Sequence, residues 1–453
     1  MKKLLIMILL SLTLVLSACT EAVTTTRDNP TTVTDPTTDP TTDPTTTKKR
    51  DNSYKHLNEV SMAIAKAQKS ESRKKIKEGD FLSRLAAFSS TLNYALYQDF
   101  YDDNNMAVSP LSIFLAFAME YETLEDEEKA LLLDFFNMTD SDLYLVKDLI
   151  NSLLPIDDND SYKLKISNTI WTNSDQYYDY RQDILDTLAS KYYCGVIEAP
   201  FTSNNPQANL DLRNFIKEQT EGLIDEDFGI DRDVTFLLMN TLYFKDIWGD
   251  EELTTQKKIF TDITGKETEY KFNVGEYHSG KLVREEKYEY TYISTQSGYK
   301  LSLIRPKDGY QISDIYNENL IQEVSSHKYV YSEGLTDYYS RCIFPSFKVE
   351  SSYDLVDTLI KHYDFDKLFQ VYHSKLIDED MAIDKVIHKV IYKADEKGTE
   401  GAAVTIIINK ATSAGIMHNE VYEDLILDKP FAFVLSSPDG VVLFSGIINT
   451  INN

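Results

Sequence analysis

The chain has 453 residues, 42% of them hydrophobic, so it can bury a large core, and its length alone is compatible with two or three domains. Its formal charge of −27 offers no basic stripe for phosphates and argues against nucleic-acid binding; the acidity is read as a means of solubility. The 30 tyrosines are scattered with no stacking module around them and are read as core and surface packing.

Lys2 and Lys3 precede an apolar run, Leu4 to Leu16, that is too short for a spanning helix and fits a signal peptide. It ends in Leu16, Ser17, Ala18 and Cys19, which resembles the bacterial lipoprotein signal, where cleavage leaves the cysteine first and its thiol carries diacylglycerol. The resemblance implies removal of residues 1–18 and lipid anchoring at Cys19 on the extracellular face of the cell membrane. Thr24 to Thr47 is mostly Thr, Asp and Pro, with T-T-D-P recurring at Thr37 to Pro40 and Thr41 to Pro44. Such a tract cannot bury enough apolar surface to offset its chain entropy, so residues 19–50 read as an extended, solvated tether.

Asn58 to Lys77 alternates basic and apolar residues and predicts a helix within an N-terminal extension, residues 51–79. Phe81, Leu85, Phe88, Leu92, Ala95 and Leu96 recur at helical spacing, an amphipathic helix of about five turns with Asp80 available as its cap. Ser109 as N-cap and Pro110 at the first helical position start another over Leu111 to Met119, apolar almost all round and therefore deeply buried. Lys385 to Lys393, rich in β-branched residues, reads as a buried strand. After it come Gly398, Thr399, Gly401, Ala402, Ala403 and Thr405, small side chains without a proline. That composition can swing free as loop, or enter a packed sheet without overfilling it or losing a ladder donor. Near the C-terminus, Phe431 to Ser436 and Val441 to Ile448 flank the turn Ser437-Pro438-Asp439-Gly440, a hairpin too apolar for a solvated face and so assigned to a sandwich core.

Catalytic patterns are missing: there is no G-x-S-x-G, H-E-x-x-H, G-x-x-x-x-G-K or G-x-G-x-x-G. Of seven histidines, His388 stands in a strand-like apolar setting, where a lone histidine is more often a hydrogen-bonded core residue than a general base. Asp157, Asp158 and Asp160, with Glu125 to Glu128, lack the Gly and the spaced Glu of an EF-hand loop, so no metal and no cofactor is expected.

Five stretches, in order, resemble one family. Glu396 to Thr405, E-K-G-T-E-G-A-A-V-T, is similar to the hinge of the reactive loop in serpins, the serine protease inhibitors that trap proteases by inserting their own cleaved loop. Asn105 to Ser112 resembles the serpin segment leading into the second helix, and Asn240 to Trp248 the strand whose tryptophan lies where the loop first enters the central sheet. Lys385 to Lys389 resembles the strand carrying the shutter histidine, here His388; Lys429 to Phe433 and Leu443 to Asn449 resemble the C-terminal hairpin that closes the fold. The resemblance covers roughly residues 80–453.

What it implies is one large α+β domain over 80–453. A large central β-sheet, β-sandwich or barrel sheets, about eight or nine helices and an exposed reactive loop are expected. Trp248, His388 and Ser109 fall in the breach and shutter of that sheet, with the histidine tying central strands together. Glu396, Gly398, Thr399, Glu400, Gly401, Ala402, Ala403 and Thr405 form the hinge, in which Thr399, Gly401, Ala403 and Thr405 alternate to one face and point into the core on insertion. The two remaining cysteines, Cys194 and Cys342, fall in different parts of such a fold and are expected as buried free thiols. The activity implied is that of a monomeric inhibitor, not an enzyme, acting on an extracellular serine or papain-like cysteine protease. A non-inhibitory, serpin-like binding or adhesion protein is the alternative.

The chain also departs from the family's pattern. Gly401 replaces the usual alanine, Tyr121 to Lys129 replaces a glycine-containing turn, and Thr450 stands where the terminal proline usually is. Glu396 to Pro430 is several residues longer than is common: counting from the hinge puts the scissile bond at Thr412-Ser413, while counting back from Lys429 favours Met417, His418 or Asn419.

Overall fold

Eight helices of eight residues or more, and four shorter ones, lie among the residues described by this computed structural model: 66–156, 161–176, 178–249, 252–327, 329–400 and 419–451. These residues belong to one compact unit, not the two or three that length would allow. Cys19, Asp157, Asp158, Asp160, Gly401, Ala402, Ala403, Thr405, Thr412, Ser413, Met417 and His418 lie outside them.

The first described helix, Lys66–Ile76, falls inside the predicted extension and is docked on the body. Ile76 is fully buried, Ser72 Oγ donates to Asp148 at 2.6 Å, and Arg73 meets the Asp439 carboxylate through Nε at 2.6 Å and Nη2 at 2.7 Å. Lys77 Nζ reaches the same carboxylate at 2.7 Å. The next helix, Phe81–Phe100, buries Phe81, Leu85, Phe88, Leu92, Ala95 and Leu96, as the spacing predicts. Asp80 does not cap it. With φ −104° and ψ 3° its backbone is outside the extended region that aims a capping side chain at the first turn, and the side chain makes no cap hydrogen bond. Helix Pro110–Thr123 does start on Ser109, whose Oγ accepts from the Ser112 N–H at 3.4 Å and donates to Leu443 O at 2.8 Å. It is buried nearly all round. Where Tyr121 to Lys129 departs from the family, this helix ends at Thr123 and a new one starts at Asp126.

Among the described residues the strands fall into three layers. An antiparallel sheet runs β1 (Met106–Val108), β20 (Val442–Ile448), β19 (Phe431–Ser436), β10 (Lys300–Pro306), β9 (Tyr288–Ser294) and β8 (Val283–Arg284). The hairpin β19–β20 closes through the predicted turn, in which Gly440 takes φ +83° and donates to Ser437 O at 2.9 Å. Both strands are wholly buried. Thr450, in place of a proline, uses the N–H that proline lacks, donating to Asn105 Oδ1 at 3.0 Å.

A second sheet runs β11 (Ser332–Glu333), β12 (Thr336–Pro345), β6 (Glu267–Val274) and β5 (Thr254–Thr261), with β7 (His278–Ser279) antiparallel and β18 (Asn419–Ile426) parallel to β12. A small hairpin joins β14 (Tyr372–Ser374) to β15 (Glu379–Met381).

The third layer is divided. On one side β17 (Gly398–Thr399), β4 (Phe236–Ile247), β2 (Lys163–Asn173) and β3 (Gly195–Ala199) form a sheet. On the other, β13 (Phe347–Asp354) and β16 (Ile387–Ala394) form a two-stranded antiparallel ribbon. A groove of about 1270 Å³ separates them, lined by β4 and β16 and floored by helix Pro110–Thr123. The single large central sheet expected from sequence is therefore parted between β4 and β16 among the described residues.

Candidate functional site at the parted sheet

The groove follows from how β4 distributes its side chains. Phe236, Leu238, Leu242 and Phe244 pack toward the main core, while Leu237 and Met239 join a separate cluster with Trp171 and Phe215 of helix Asn205–Gln219. Alternation at period two gives each face its own apolar partner. β2 satisfies one edge of β4 from Phe236 to Lys245. Among the described residues its other edge is paired only at the top, by β17.

That top is built around Trp248, the residue after β4, which is 1% exposed. Its indole Nε1 donates to Asp395 O at 2.6 Å, its backbone N–H to Lys397 O at 3.3 Å, and its ring sits edge-on to Phe344 at 6.1 Å. Leu253 N–H donates to Glu396 O at 2.8 Å and Lys271 Nζ lies 3.0 Å from the Glu396 carboxylate. The Asp395 carboxylate accepts from Lys397 N–H at 2.8 Å and Gly398 N–H at 3.3 Å, while Asp395 N–H donates to Gly398 O at 3.0 Å. These bonds reverse the chain as it leaves β16.

The reversed chain lies on β4 antiparallel, with Gly398 opposite Ile247 and Thr399 opposite Asp246. At residue 398 the backbones touch: a Cβ would stand 2.2 Å from Asp246 O, so only glycine fits. Thr399 is 1% exposed, with Oγ1 3.5 Å from Asp246 O. Glu400 then takes φ +74°, a left-handed conformation unusual for a non-glycine residue, and its carboxylate lies 3.7 Å from Lys393 Nζ on β16. Burial pushes the Glu400 carboxyl above its ordinary value. Asp246 is fully buried, accepting from Ile247 N–H at 3.0 Å and Ser297 N–H at 3.1 Å; burial outweighs these bonds and pushes its pKa up to about 6.

Farther down the groove, His388 Nε2 accepts from Ser109 N–H at 3.0 Å, and burial pulls its pKa down to about 3, so it is a neutral acceptor. It therefore ties β16 to the start of helix Pro110–Thr123; among the described residues no hydrogen bond joins it to β4, which lies across the groove. Asn240, on β4, donates to Asn168 Oδ1 at 2.8 Å, and its buried Oδ1 has no partner among the described residues. Cys194 and Cys342 are buried free thiols, their pKa values raised by burial.

Trp248, Ser109, His388, Glu396, Gly398, Thr399 and Glu400 thus all border one groove or the turn above it. Asp246 and Lys271 belong with them and carry no motif; the visible signal for Asp246 was an acid inside the apolar run Asn240 to Trp248. The serine beside His388, Ser109, spends its hydroxyl on Leu443 O, and what the arrangement offers is a strand position whose first two pairs are made and whose remainder is open among the described residues.

Comparison with known proteins agrees with this architecture. The profile of the serpin (serine protease inhibitor) family matches residues 84–451. A serpin-like protein of Methanosarcina acetivorans is 26% identical over 83% of this chain and 87% of its own, and the leukocyte elastase inhibitor of Sus scrofa 26% identical over 82% and 100%. Among solved structures, the thermophilic serpin tengpin in its native state superposes with a TM-score of 0.68 at 23% identity, covering 83% of this chain and 95% of that one. With this coverage by family and fold, the chain belongs to the serpins, a family of protease inhibitors and not of enzymes.

Proposed function

We propose that this protein is a lipid-anchored inhibitor of extracellular proteases that acts once, by trapping the enzyme on its own loop. The observation that carries the proposal is the parted sheet: an open edge of β4 already paired to Gly398 and Thr399 and facing β16 across a groove of about 1270 Å³. The protease nucleophile attacks the carbonyl on the N-terminal side of the scissile bond, forming an ester or thioester while the peptide C–N bond breaks and the new amine leaves protonated. The loop is then free at one end. Continued in the register of Thr399 on Asp246, Gly401 comes opposite Phe244, Ala403 opposite Leu242 and Thr405 opposite Asn240. Side chains directly opposite share a face, so these small residues turn toward the core, and the Thr405 hydroxyl comes beside the unpartnered Asn240 Oδ1. Strand addition supplies ladder bonds and apolar burial, carrying the acylated protease away before water reaches the ester; serpin loop insertion is a general example of this strand addition and of stored strain released.

The test is incubation with a panel of serine and papain-like proteases. A one-to-one complex that survives boiling in detergent is expected; loops cut by every protease with no complex would leave the non-inhibitory alternative. Anchoring is tested by Cys19→Ser, which should release the protein from the membrane fraction.

A further inference from the structure

Helix Pro110–Thr123 turns one stripe toward the groove, Ser112, Ile113, Ala116, Phe117 and Glu120, at the spacing of three and four that one helical face requires. Four of these are small or apolar and suit a strand laid across them. The fifth is an acid, buried at the end of the groove remote from Trp248, and strand insertion makes no use of it. Its Oε1 accepts from Tyr372 OH at 2.8 Å and from Thr123 Oγ1 at 3.0 Å, both neutral donors. Among the described residues Glu120 has no ion pair, and its Oε2 accepts no hydrogen bond. Lys191, which reaches this helix, is spent on Glu122 at 2.6 Å, as is the Tyr192 hydroxyl at 2.7 Å.

Burial holds the Glu120 carboxyl above its ordinary value, against the pull of the two hydroxyls. A buried acid kept without a cation is costly, and one whose second oxygen is unpaired at the wall of a cavity leaves room for a ligand to offset that cost. The other walls at this end are apolar: Phe117 on the helix, Phe228 and Ile230 after helix Asn205–Gln219, and Ile383 after β15. The rim is acidic. The exposed Asp231, Asp233, Asp380 and Asp384 stand against Arg232 and Lys385, and Asp231 takes up Lys385 at 2.8 Å. Such an excess draws cations toward the opening.

We propose that this end of the groove binds a small organic cation, an ammonium or amidinium on an apolar body, whose head pairs with Glu120 Oε2 while its body lies along Phe117 and Ile383. A charged head on the open oxygen supplies the charge-assisted bond that the two hydroxyls do not. One carboxylate and two hydroxyls among apolar walls do not replace the hydration shell of a metal ion, and a peptide strand would pair along the β4 edge without needing an acid here. The site stands on the groove's geometry and not on the inhibitor reading. Where both hold, ligand and inserted strand compete for the same walls, and a bound cation delays trapping.

The experiment titrates the full chain with n-octylammonium chloride by calorimetry, with octanoate as the anionic counterpart of equal length. One-to-one binding is expected, with octanoate and the Glu120→Gln variant each weaker by roughly tenfold or more. Glu120→Gln keeps a carbonyl oxygen for Tyr372 OH and Thr123 Oγ1, so its melting temperature should stay near that of the parent. Ile383→Trp, which fills the apolar wall and keeps Glu120, should lose binding too, and decides the matter if Glu120→Gln does not fold. No binding to the parent, Glu120→Gln binding as tightly as the parent, or octanoate binding as tightly as octylammonium would each overturn the site. For a protease that the chain traps, octylammonium at ten times its Kd should slow trapping roughly tenfold, measured against that protease's own rate on a peptide substrate. An unchanged trapping rate would put the cation outside the groove and overturn the proposal. A chain that binds octylammonium through Glu120 and traps nothing keeps the site and fails the inhibitor reading alone.

Discussion

Strands β20 and β4 are both apolar, yet they stand in opposite situations. β20 is paired along one edge to β19 and on the other, from Ser445 to Ile447, to β1, and all seven of its residues are buried. β4 is paired along β2 but on its other edge, among the described residues, meets only the two residues of β17, beside a groove of about 1270 Å³. An open strand edge is normally a liability that folds cover or blunt. Keeping one in the middle of a layer makes sense where a strand is to be added, so one region is finished and the other waits.

The largest effect that separates the two regions comes from cutting the loop between Lys410 and Asn419. If the freed hinge fills the groove, about ten new ladder bonds at about 1 kcal/mol each raise the melting temperature by roughly 13 °C. Scanning calorimetry before and after verified cleavage checks this, and an unchanged melting point would mean that the groove is not a strand position. Next is Thr399→Arg, which forces a long charged side chain into a site 1% exposed and facing the core. Cleavage should proceed at the parental rate while the detergent-stable complex disappears; a variant that still traps its protease stoichiometrically would sink the insertion mechanism.

A smaller contrast uses the same deletion in each region. Leu443→Ala, fully buried in β20, should cost about 3 kcal/mol in both the intact and the cut protein. Leu242→Ala, on the groove side of β4, should cost less than about 1 kcal/mol in the intact chain and approach 3 kcal/mol only once the loop is cut and covers it. Denaturant unfolding of the four samples gives both differences.

The smallest concerns His388. Its folded pKa, pulled down to about 3, lies below the ordinary histidine value near 6.5, so the unfolded chain binds the proton first. The neutral form's contribution is therefore present above pH 6.5 and lost as pH falls toward 3, the loss amounting to about 3 kcal/mol at pH 4.5. His388→Gln, which keeps an acceptor for the Ser109 N–H, should flatten that part of the acid dependence. His278 and His327, both pulled down to about 4 by burial outside the groove, should leave a remainder untouched.

How much of this was legible in the sequence divides along the same line. The Ser109-Pro110 start, the turn Ser437 to Gly440 and the strand around His388 each rest on local rules of cap, turn and period, and the structure has them within two residues. Gly398 and Thr399 were visible as small residues after a strand. The parting of β4 from β16 was not, because alternation tells which face of a strand is buried and not whether its edge is paired. Asp80 looked like a cap by type and failed on backbone angle. Glu120 escaped for a related reason: in the chain it is one acid at the end of an apolar helix, and only the fold sets it at the end of the groove beside Tyr372.

The docking of helix Lys66–Ile76 has a mechanical consequence. Tension arriving along the chain from before Lys66 is handed to the body at Ser72, Arg73, Ile76 and Lys77, and from Arg73 and Lys77 directly to Asp439 in the turn between β19 and β20. That turn joins β19 and β20, each of which has a strand on either side and is wholly buried. A load applied there shears ion pairs against a buried hairpin and does not run through β4 or β16. Whatever pulls at the N-terminal side is thereby kept off the two strands that border the groove.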